Sequence, residues 1–147
     1  MAPIMTEVDI TRPPAEVFSY VTDPSRFGEW QDGVVNGHTD GDGSPVVGTR
    51  LSMTRRMAGT ERVFTSEITQ IDPPGSWAIR GIDGPIRAAV GVTVEPREDG
   101  AQSHVTISLD FSGHGAGKLL VPMVVRQARK EVPENSRKLK QRLESAG

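Results

Sequence analysis

Residues 115–145 read GAGKLLVPMVVRQARKEVPENSRKLKQRLES, and this stretch decides the fold of the chain. When its residues are placed at 100° per step, as in an α-helix, the apolar side chains gather within roughly 100° of one another. They are Val121, Val124, Val125, Ala128, Val132, Leu139 and Leu143. Charged and polar side chains take the opposite side. The stretch therefore predicts one long amphipathic helix, which needs a sheet to cover.

Two details of this helix can be predicted further. Residues 119–125 are apolar on nearly all sides, which predicts that residues 119–128 are the deeply buried part and residues 132–143 the shallower part. Pro133 has no amide hydrogen to donate to the carbonyl of Arg129, a loss of about 3 kcal/mol or more inside a helix. We therefore predict a kink or a short break near residues 131–133.

Most of the chain before this helix alternates between apolar and polar residues, which is typical of β-strands. In residues 103–111, for example, Val105, Ile107, Leu109 and Phe111 point one way. Similar patterns predict strands at residues 4–10, 48–56, 61–71, 76–80 and 86–96. Turn-forming residues separate these segments, so the strands should form an antiparallel sheet with one packed face and one wet face.

Two short helices are predicted after the first strand. Residues 10–24 read ITRPPAEVFSYVTDP, in which proline stands where a helix start tolerates it. Asp23 then caps a second short helix, which carries Phe27 and Trp30. Asn36-Gly37 predicts a turn. The predicted order is strand, two short helices, about six antiparallel strands and the long helix.

This order and these residues resemble the START-like (SRPBCC) superfamily, and more narrowly its polyketide cyclase/dehydrase and lipid-transport branch. The match rests on residues 10–24, Phe27, Trp30, Gly48-Thr49, Asp72-Pro73-Pro74, Gly84-Pro85 and residues 139–144. The resemblance implies an α+β, helix-grip (Bet v 1-like) fold, in which a curved antiparallel sheet of about seven strands wraps round the C-terminal helix. It spans nearly the whole chain, so residues 1–147 are expected to form a single domain.

Composition narrows the kinds of site and partner. The chain has 147 residues, no cysteine and a net charge of −2. These values exclude disulfides, thiolate metal sites and a cysteine nucleophile, and they provide no global field to attract nucleic acid. No apolar run reaches the length of a membrane span, and the first residues do not resemble a signal peptide. We therefore expect a cytoplasmic protein that is not an integral membrane protein.

No motif identifies a catalytic or metal site. His38, His104 and His114 lie on separate segments without metal-ligand spacing, so neither a metal nor another cofactor is expected. The glycine-rich residues 113–117 lack the patterns of phosphate-binding loops and are interpreted as a flexible connection. Seven of the 17 basic residues lie within residues 126–142, but interleaved glutamates and a lack of aromatic residues favour a solvated face over nucleic-acid binding.

The resemblance implies a pocket between the sheet and the long helix. Small-molecule sites are concave and mostly apolar, with a few polar groups that orient the ligand. The candidate lining residues, each of which could also be plain core, are Trp30, Met53, Phe64, Ile68, Trp77, Val90, Phe111, Val124 and Ala128. Arg55, Arg80 and Arg87 lie near strand ends or on uncertain faces, and a buried arginine would need a carboxylate or an anionic ligand.

Three functions are compatible with these features. The first is binding of a hydrophobic or amphipathic small molecule, of lipid, polyketide or isoprenoid type, in the cavity. The second is a polyketide cyclase/dehydrase-type enzyme, which would need an acid-base group with a shifted pKa in the same cavity and whose catalytic residues stay unassigned. The third is a non-enzymatic interaction or regulatory module, for which a homodimer is one form.

Overall fold

The computed structural model describes residues 3–57 and 59–145. Its strands are β1 Ile4–Ile10, β2 Val34–Thr39, β3 Arg50–Met57, β4 Thr60–Asp72, β5 Ser76–Gly81, β6 Ile86–Arg97 and β7 Gln102–Gly113. They form one antiparallel sheet in the order β1-β7-β6-β5-β4-β3-β2, curled into a half-barrel. This arrangement confirms the predicted fold class. The predicted domain, residues 1–147, also includes residues 1, 2, 58, 146 and 147, which lie outside the described residues.

Three α-helices complete the described fold: α1 Pro14–Val21, α2 Phe27–Trp30 and α3 Val121–Ser145. A 3-10 turn at Pro24–Arg26 leads into α2, and another at Gly115–Leu119 leads into α3. The carboxylate of Asp23 accepts a hydrogen bond from the backbone N–H of Ser25 at 3.0 Å, as expected of a cap. The two short helices therefore lie where the sequence predicts them.

The predicted turn at Asn36-Gly37 is wrong, because both residues lie within β2. β2 pairs with β3, and the register shifts between Val34 and Asn36. A Cβ atom on Gly37 would lie only 2.5 Å from the carbonyl oxygen of Pro24. The glycine is therefore needed because another backbone segment passes close to the strand, and not because the chain turns there.

The depth of α3 is the reverse of the prediction. Leu139 is 0% exposed and, with Leu143, belongs to the main core that also holds Ile10 and Val17. Near the other end, Val125 and Ala128 are buried in a smaller cluster with Ile4. The residues just before and at the start of α3 are largely exposed. The C-terminal half of the helix is thus the deep half.

Hydrogen bonds from residues 11–12 fix the C-terminal end of α3. Arg12 donates from Nε to the carbonyl oxygen of Leu143 at 2.9 Å and from Nη2 to that of Glu144 at 3.3 Å. The backbone N–H of Thr11 donates to the Glu144 carboxylate at 3.0 Å. The last carbonyls of a helix lack partners within the helix, so these bonds satisfy them and anchor that end against the core.

The helix continues through Pro133, so a short break there is wrong, whereas a kink stays a prediction. Pro133 and Arg129 are both exposed. Water can therefore hydrate the Arg129 carbonyl that receives no amide donor, which lowers the cost of a proline at this position.

His104 lies on the outer face of β7, where the sequence places it. Its Nδ1 is 2.6 Å from an Asp9 carboxylate oxygen and its Nε2 is 2.9 Å from a Glu7 carboxylate oxygen. Hydrogen bonds to Asp9 and then to Glu7 raise the pKa of His104. The protonated ring can donate to both carboxylates and thus links β1 to β7.

We expect His104→Gln to destabilise the protein more at pH 6 than at pH 9. Because the folded-state pKa is raised, the stabilisation is fully present below the ordinary histidine pKa of about 6.5 and is lost as the pH rises through the raised value. Urea unfolding of both proteins across this range measures the difference. His38→Gln is the control, since that side chain is exposed. An equal loss at both pH values would contradict the role of the charged ring.

Candidate ligand-binding cleft

The concave face of the sheet is buried at one end and half-buried at the other. On β3, Leu51 is buried and Met53 is half-buried. On β7, Ile107 is buried and Leu109 is half-buried. β4 and β6 change in the same direction. At the half-buried end, α3 packs against Ile4 of β1 and against Leu109 and Phe111 of β7. The inner faces of β3, β4 and β6 beside the N-terminal half of α3 are therefore only half-buried, and we take this surface as the candidate cleft.

The predicted lining residues fall into two groups. Trp30, Ile68 and Trp77 are buried in the main core, and Ala128 is buried in the smaller cluster beneath α3. The others are half-buried: Met53, Phe64, Val90, Phe111 and Val124. Part of each half-buried side chain is free to touch a ligand. Contact between any of these residues and a ligand stays a prediction.

Arg55 places a cation on this apolar face. It follows Met53 by two residues on β3, so both side chains lie on the same side of the sheet. Its Nη2 donates to the side-chain oxygen of Gln31, and its Nη1 donates to the backbone carbonyl oxygen of Asp32, each at 3.2 Å. Both acceptors are uncharged, and among the described residues no carboxylate oxygen lies within 4.0 Å of the guanidinium.

The environment of Arg55 is partly desolvated. Burial lowers the pKa of Arg55, and attraction to Glu131 on α3 opposes this shift. The guanidinium remains charged at neutral pH and has five N–H donors, of which two are bonded to the oxygens above. Arg55 can therefore accept further hydrogen-bond partners, and an anionic group would suit it best.

α3 holds the loop that orients Arg55. The Lys138 ammonium pairs with the Asp32 carboxylate. The side-chain oxygen of Asn135 accepts a hydrogen bond from the backbone N–H of Asp32 at 3.2 Å. Since Gln31 and Asp32 supply the acceptors for Arg55, the position of the guanidinium depends on α3 as well as on β3.

A second arginine lies opposite the first. Arg62 on β4 is the cross-strand partner of Arg55. Like charges in directly opposed positions normally destabilise a sheet. Arg62 is exposed and forms no ion pair within 4.0 Å among the described residues. The pair gives this end of the cleft a local positive charge that an anion would neutralise.

The indole N–H of Trp30 is a buried hydrogen-bond donor without a partner in the described part of the chain. An unpaired buried donor is costly, and such a group often marks a place where a ligand or water binds. Trp30 directly precedes Gln31, so this donor lies in the segment that also orients Arg55.

Two open pockets lie away from this cleft. One, of about 500 Å³, includes Arg80, Arg87 and Asp110, which alternation and register place on the convex face of the sheet. Of the predicted lining residues, only Phe111 borders it. The other, of about 560 Å³, lies between α2 and the end of α3. Arg80 already pairs with the Glu67 carboxylate at 2.9 Å, so it is less available than Arg55 to bind an anionic ligand.

The glycine-rich residues 113–117 form a fixed connection to α3. The backbone N–H of His114 donates to the Pro85 carbonyl oxygen at 2.8 Å. A Cβ atom on Gly117 would lie 2.1 Å from the same oxygen, so only glycine permits this approach. The connection therefore attaches the start of α3 to the β5–β6 hairpin.

Tyr20 and the three histidines lie outside the candidate cleft. Tyr20 donates its hydroxyl to Glu29 at 2.8 Å, and burial with this hydrogen bond raises its pKa to about 12. His38 and His114 are exposed, and His104 is on the convex face. The described residues hold no group of three or more His, Cys, Asp or Glu side chains placed to bind a metal. None of the helices in the described ranges combines the length and apolarity needed to cross a membrane.

The curled sheet and the long C-terminal helix that packs on it have the START-like, helix-grip fold. The chain belongs to the polyketide cyclase/dehydrase and lipid transport family, whose sequence model matches residues 1–144. No curated protein sequence matches the chain.

Several solved structures share this fold. A START superfamily protein from Mycobacterium smegmatis has a TM-score of 0.79 at 14% identity, with 100% of both chains covered. The Zhui aromatase/cyclase from Streptomyces sp. R1128 has a TM-score of 0.77 at 13% identity, covering 97% of this chain and 93% of that one. The di-domain aromatase/cyclase BexL has a TM-score of 0.72 at 16% identity; the match covers 96% of this chain but 46% of BexL. At these identities the likeness shows the fold alone.

Proposed function

We propose that this protein binds an amphipathic small molecule of lipid or polyketide type that carries an acidic group. The observation behind this proposal is Arg55, a partly desolvated cation on an apolar concave face, hydrogen-bonded to uncharged acceptors alone. A charge in such a place is expensive unless it is paired. The acidic group of a ligand would pair with it, and the exposed Arg62 would strengthen the attraction.

The apolar part of the ligand would lie along the half-buried walls. Met53, Phe64 and Val90 each leave apolar surface uncovered on the concave face. Covering this surface contributes about 25 cal/mol per Å², which favours an apolar chain or ring system. Small-molecule sites commonly combine such walls with a few polar groups that set the orientation. The family match, which includes lipid transport, agrees with this class of ligand.

The preference for an acidic group can be measured with dansylated undecanoic acid and its methyl ester. We expect the wild-type chain to bind the acid more tightly than the ester, as followed by dansyl fluorescence. Arg55→Met should weaken binding of the acid about tenfold, which is about 1.4 kcal/mol, and leave binding of the ester unchanged. The reason is that the variant keeps the apolar walls but loses the charge-assisted hydrogen bonds.

Arg80→Met is the matched control, because that arginine lies on the convex face and is paired with Glu67. The Arg80→Met variant should bind both probes with the affinity of the wild type. Equal affinity of the wild type for acid and ester would contradict the role of Arg55. Failure to bind either probe would contradict small-molecule binding of this type altogether.

The enzymatic alternative has less support within the described residues. A cyclase or dehydrase needs an acid-base group that faces the ligand. The three histidines lie on the convex face or in exposed segments, and Tyr20 is bonded to Glu29. The concave face offers Arg55, which can orient an acidic or enolic group but is a poor proton donor at neutral pH. Glu131 on α3 is the carboxyl group whose attraction acts on Arg55.

A further inference from the structure

The start of α3 exposes a cluster of apolar side chains. Leu119 is 85% exposed, Met123 is 63% exposed and Leu120 is 45% exposed. These three residues, here called the apolar tip, lie in the 3-10 turn before α3 and in the first turns that follow. Isolated exposed apolar residues are ordinary, whereas a cluster of large ones marks a contact surface.

Basic residues flank the apolar tip in sequence. Residues 113–130 contain Lys118, Arg126, Arg129 and Lys130 but no aspartate or glutamate. All four are exposed, and none of them forms an ion pair within 4.0 Å among the residues that the structure describes. The whole chain carries a net charge of −2, so this concentration of positive charge is local.

We propose that the apolar tip and these four cations dock the protein on an anionic lipid surface. Exposed leucine and methionine would enter the boundary between headgroups and acyl chains, while the lysines and arginines would remain at the level of the anionic headgroups. Positive charge near such a surface is attracted within about one Debye length, roughly 10 Å at moderate salt. An anionic lipid surface would thus bind both the exposed apolar side chains and the four cations.

Charge complementarity selects this partner over two others. In a symmetric dimer formed through the tip, the same four cations would face each other, because a two-fold interface brings the same patch together. A nucleic acid would attract the cations but would leave Leu119, Leu120 and Met123 without a function, since base stacking uses aromatic side chains. An anionic bilayer matches both the charge and the apolar surface.

Docking in this way would turn the open end of the cleft towards the bilayer. Val121, in the same turns as the apolar tip, packs against the smaller core cluster, and Val124 is half-buried. A lipid-like ligand could then pass between bilayer and cleft with little exposure to water. The docking goes beyond the proposed binding function, because attachment to a vesicle does not require an occupied cleft.

Co-sedimentation with vesicles tests the proposal on the full chain. We expect the wild type to bind vesicles of phosphatidylcholine mixed with phosphatidylglycerol, and to bind pure phosphatidylcholine vesicles about tenfold more weakly. Replacing Leu119→Asp together with Met123→Asp should lower binding to the anionic vesicles by about tenfold or more. High salt should lower it as well, because it screens the cations.

The control is Val46→Asp together with Val47→Asp, which changes two valines that are 60% and 62% exposed in a different surface segment. This variant should bind the anionic vesicles as the wild type does. Both double variants should keep the wild-type affinity for dansylated undecanoic acid in solution, which shows that they are folded and separates this test from that of the cleft.

Three results would overturn the proposal. One is wild-type protein that stays in the supernatant with anionic vesicles. Another is an equal loss of vesicle binding in the Val46/Val47 control. The third is a dimer of the wild type, seen by size-exclusion chromatography with light scattering, that becomes a monomer in the Leu119/Met123 variant, since the tip would then be an interface between two copies.

Discussion

Leu139→Ala should lower the free energy of unfolding by about 2–5 kcal/mol. Leu139 is 0% exposed and packs in the main core, where the half of α3 that contains it meets β1, α1 and α2. Truncation removes buried methyl groups and leaves a cavity that a close-packed surrounding cannot fill completely. Urea unfolding followed by far-UV circular dichroism measures the change.

Leu119→Ala is the matched control, as the same substitution at the opposite end of the helical segment. Leu119 is 85% exposed, so its truncation should change the free energy of unfolding by no more than about 0.5 kcal/mol. A larger loss at Leu119 than at Leu139 would restore the order of depth that the sequence pattern predicts and would contradict the packing of α3 described above.

The sequence predicts which face of α3 is buried but not how deeply each part of the helix is buried. The apolar stripe identifies the helix and the face that it buries, because both follow from a period of 3.6 residues. Depth along the axis depends on what lies beneath each turn and on how the ends are held. The bonds from Arg12 to the last carbonyls join residues that are 131 and 132 positions apart in sequence, and no local pattern reveals them.

Strands are predicted correctly where apolar and polar residues alternate regularly. They are missed where a glycine that resembles a turn residue is needed instead for close packing of the backbone. β7 follows its predicted residues closely, because buried and half-buried residues alternate along it. β2 is missed because Asn36-Gly37 has the composition of a turn. The reason for this glycine is the approach of Pro24, which only the folded chain shows.

The sequence predicts which side chains of the candidate site point to the inner face of the sheet, but it does not predict their tertiary contacts. Period-two alternation on β3 places Met53 on the inner face, and the same step leads to Arg55. Its neutral partners come from the loop after α2, and its cross-strand neighbour Arg62 follows from the β3–β4 register. These contacts are tertiary, so the sequence leaves the role of Arg55 open.

Trp77→Ala should be among the most destabilising substitutions in the chain, with a loss of about 3–5 kcal/mol. Trp77 is 3% exposed, and its ring packs edge-on against Phe27 with 6.3 Å between ring centroids. Phe27 in turn packs edge-on against Trp30 at 6.1 Å. Large rings are scarce in this chain, at 5% aromatic residues, so little else can fill the space that Trp77 leaves.

Phe64→Ala is the matched control on the same concave face. Phe64 is half-buried, so its truncation exposes less new surface and should cost only about 1–2 kcal/mol. Far-UV circular dichroism in urea is the suitable probe, because the variant without Trp77 retains one of the two tryptophans. If Trp77→Ala were instead nearly as stable as the wild type and lost dansylated undecanoic acid, Trp77 would face the ligand. A large loss of stability would mean that the Trp77 ring is part of the packed core, as its 3% exposure indicates.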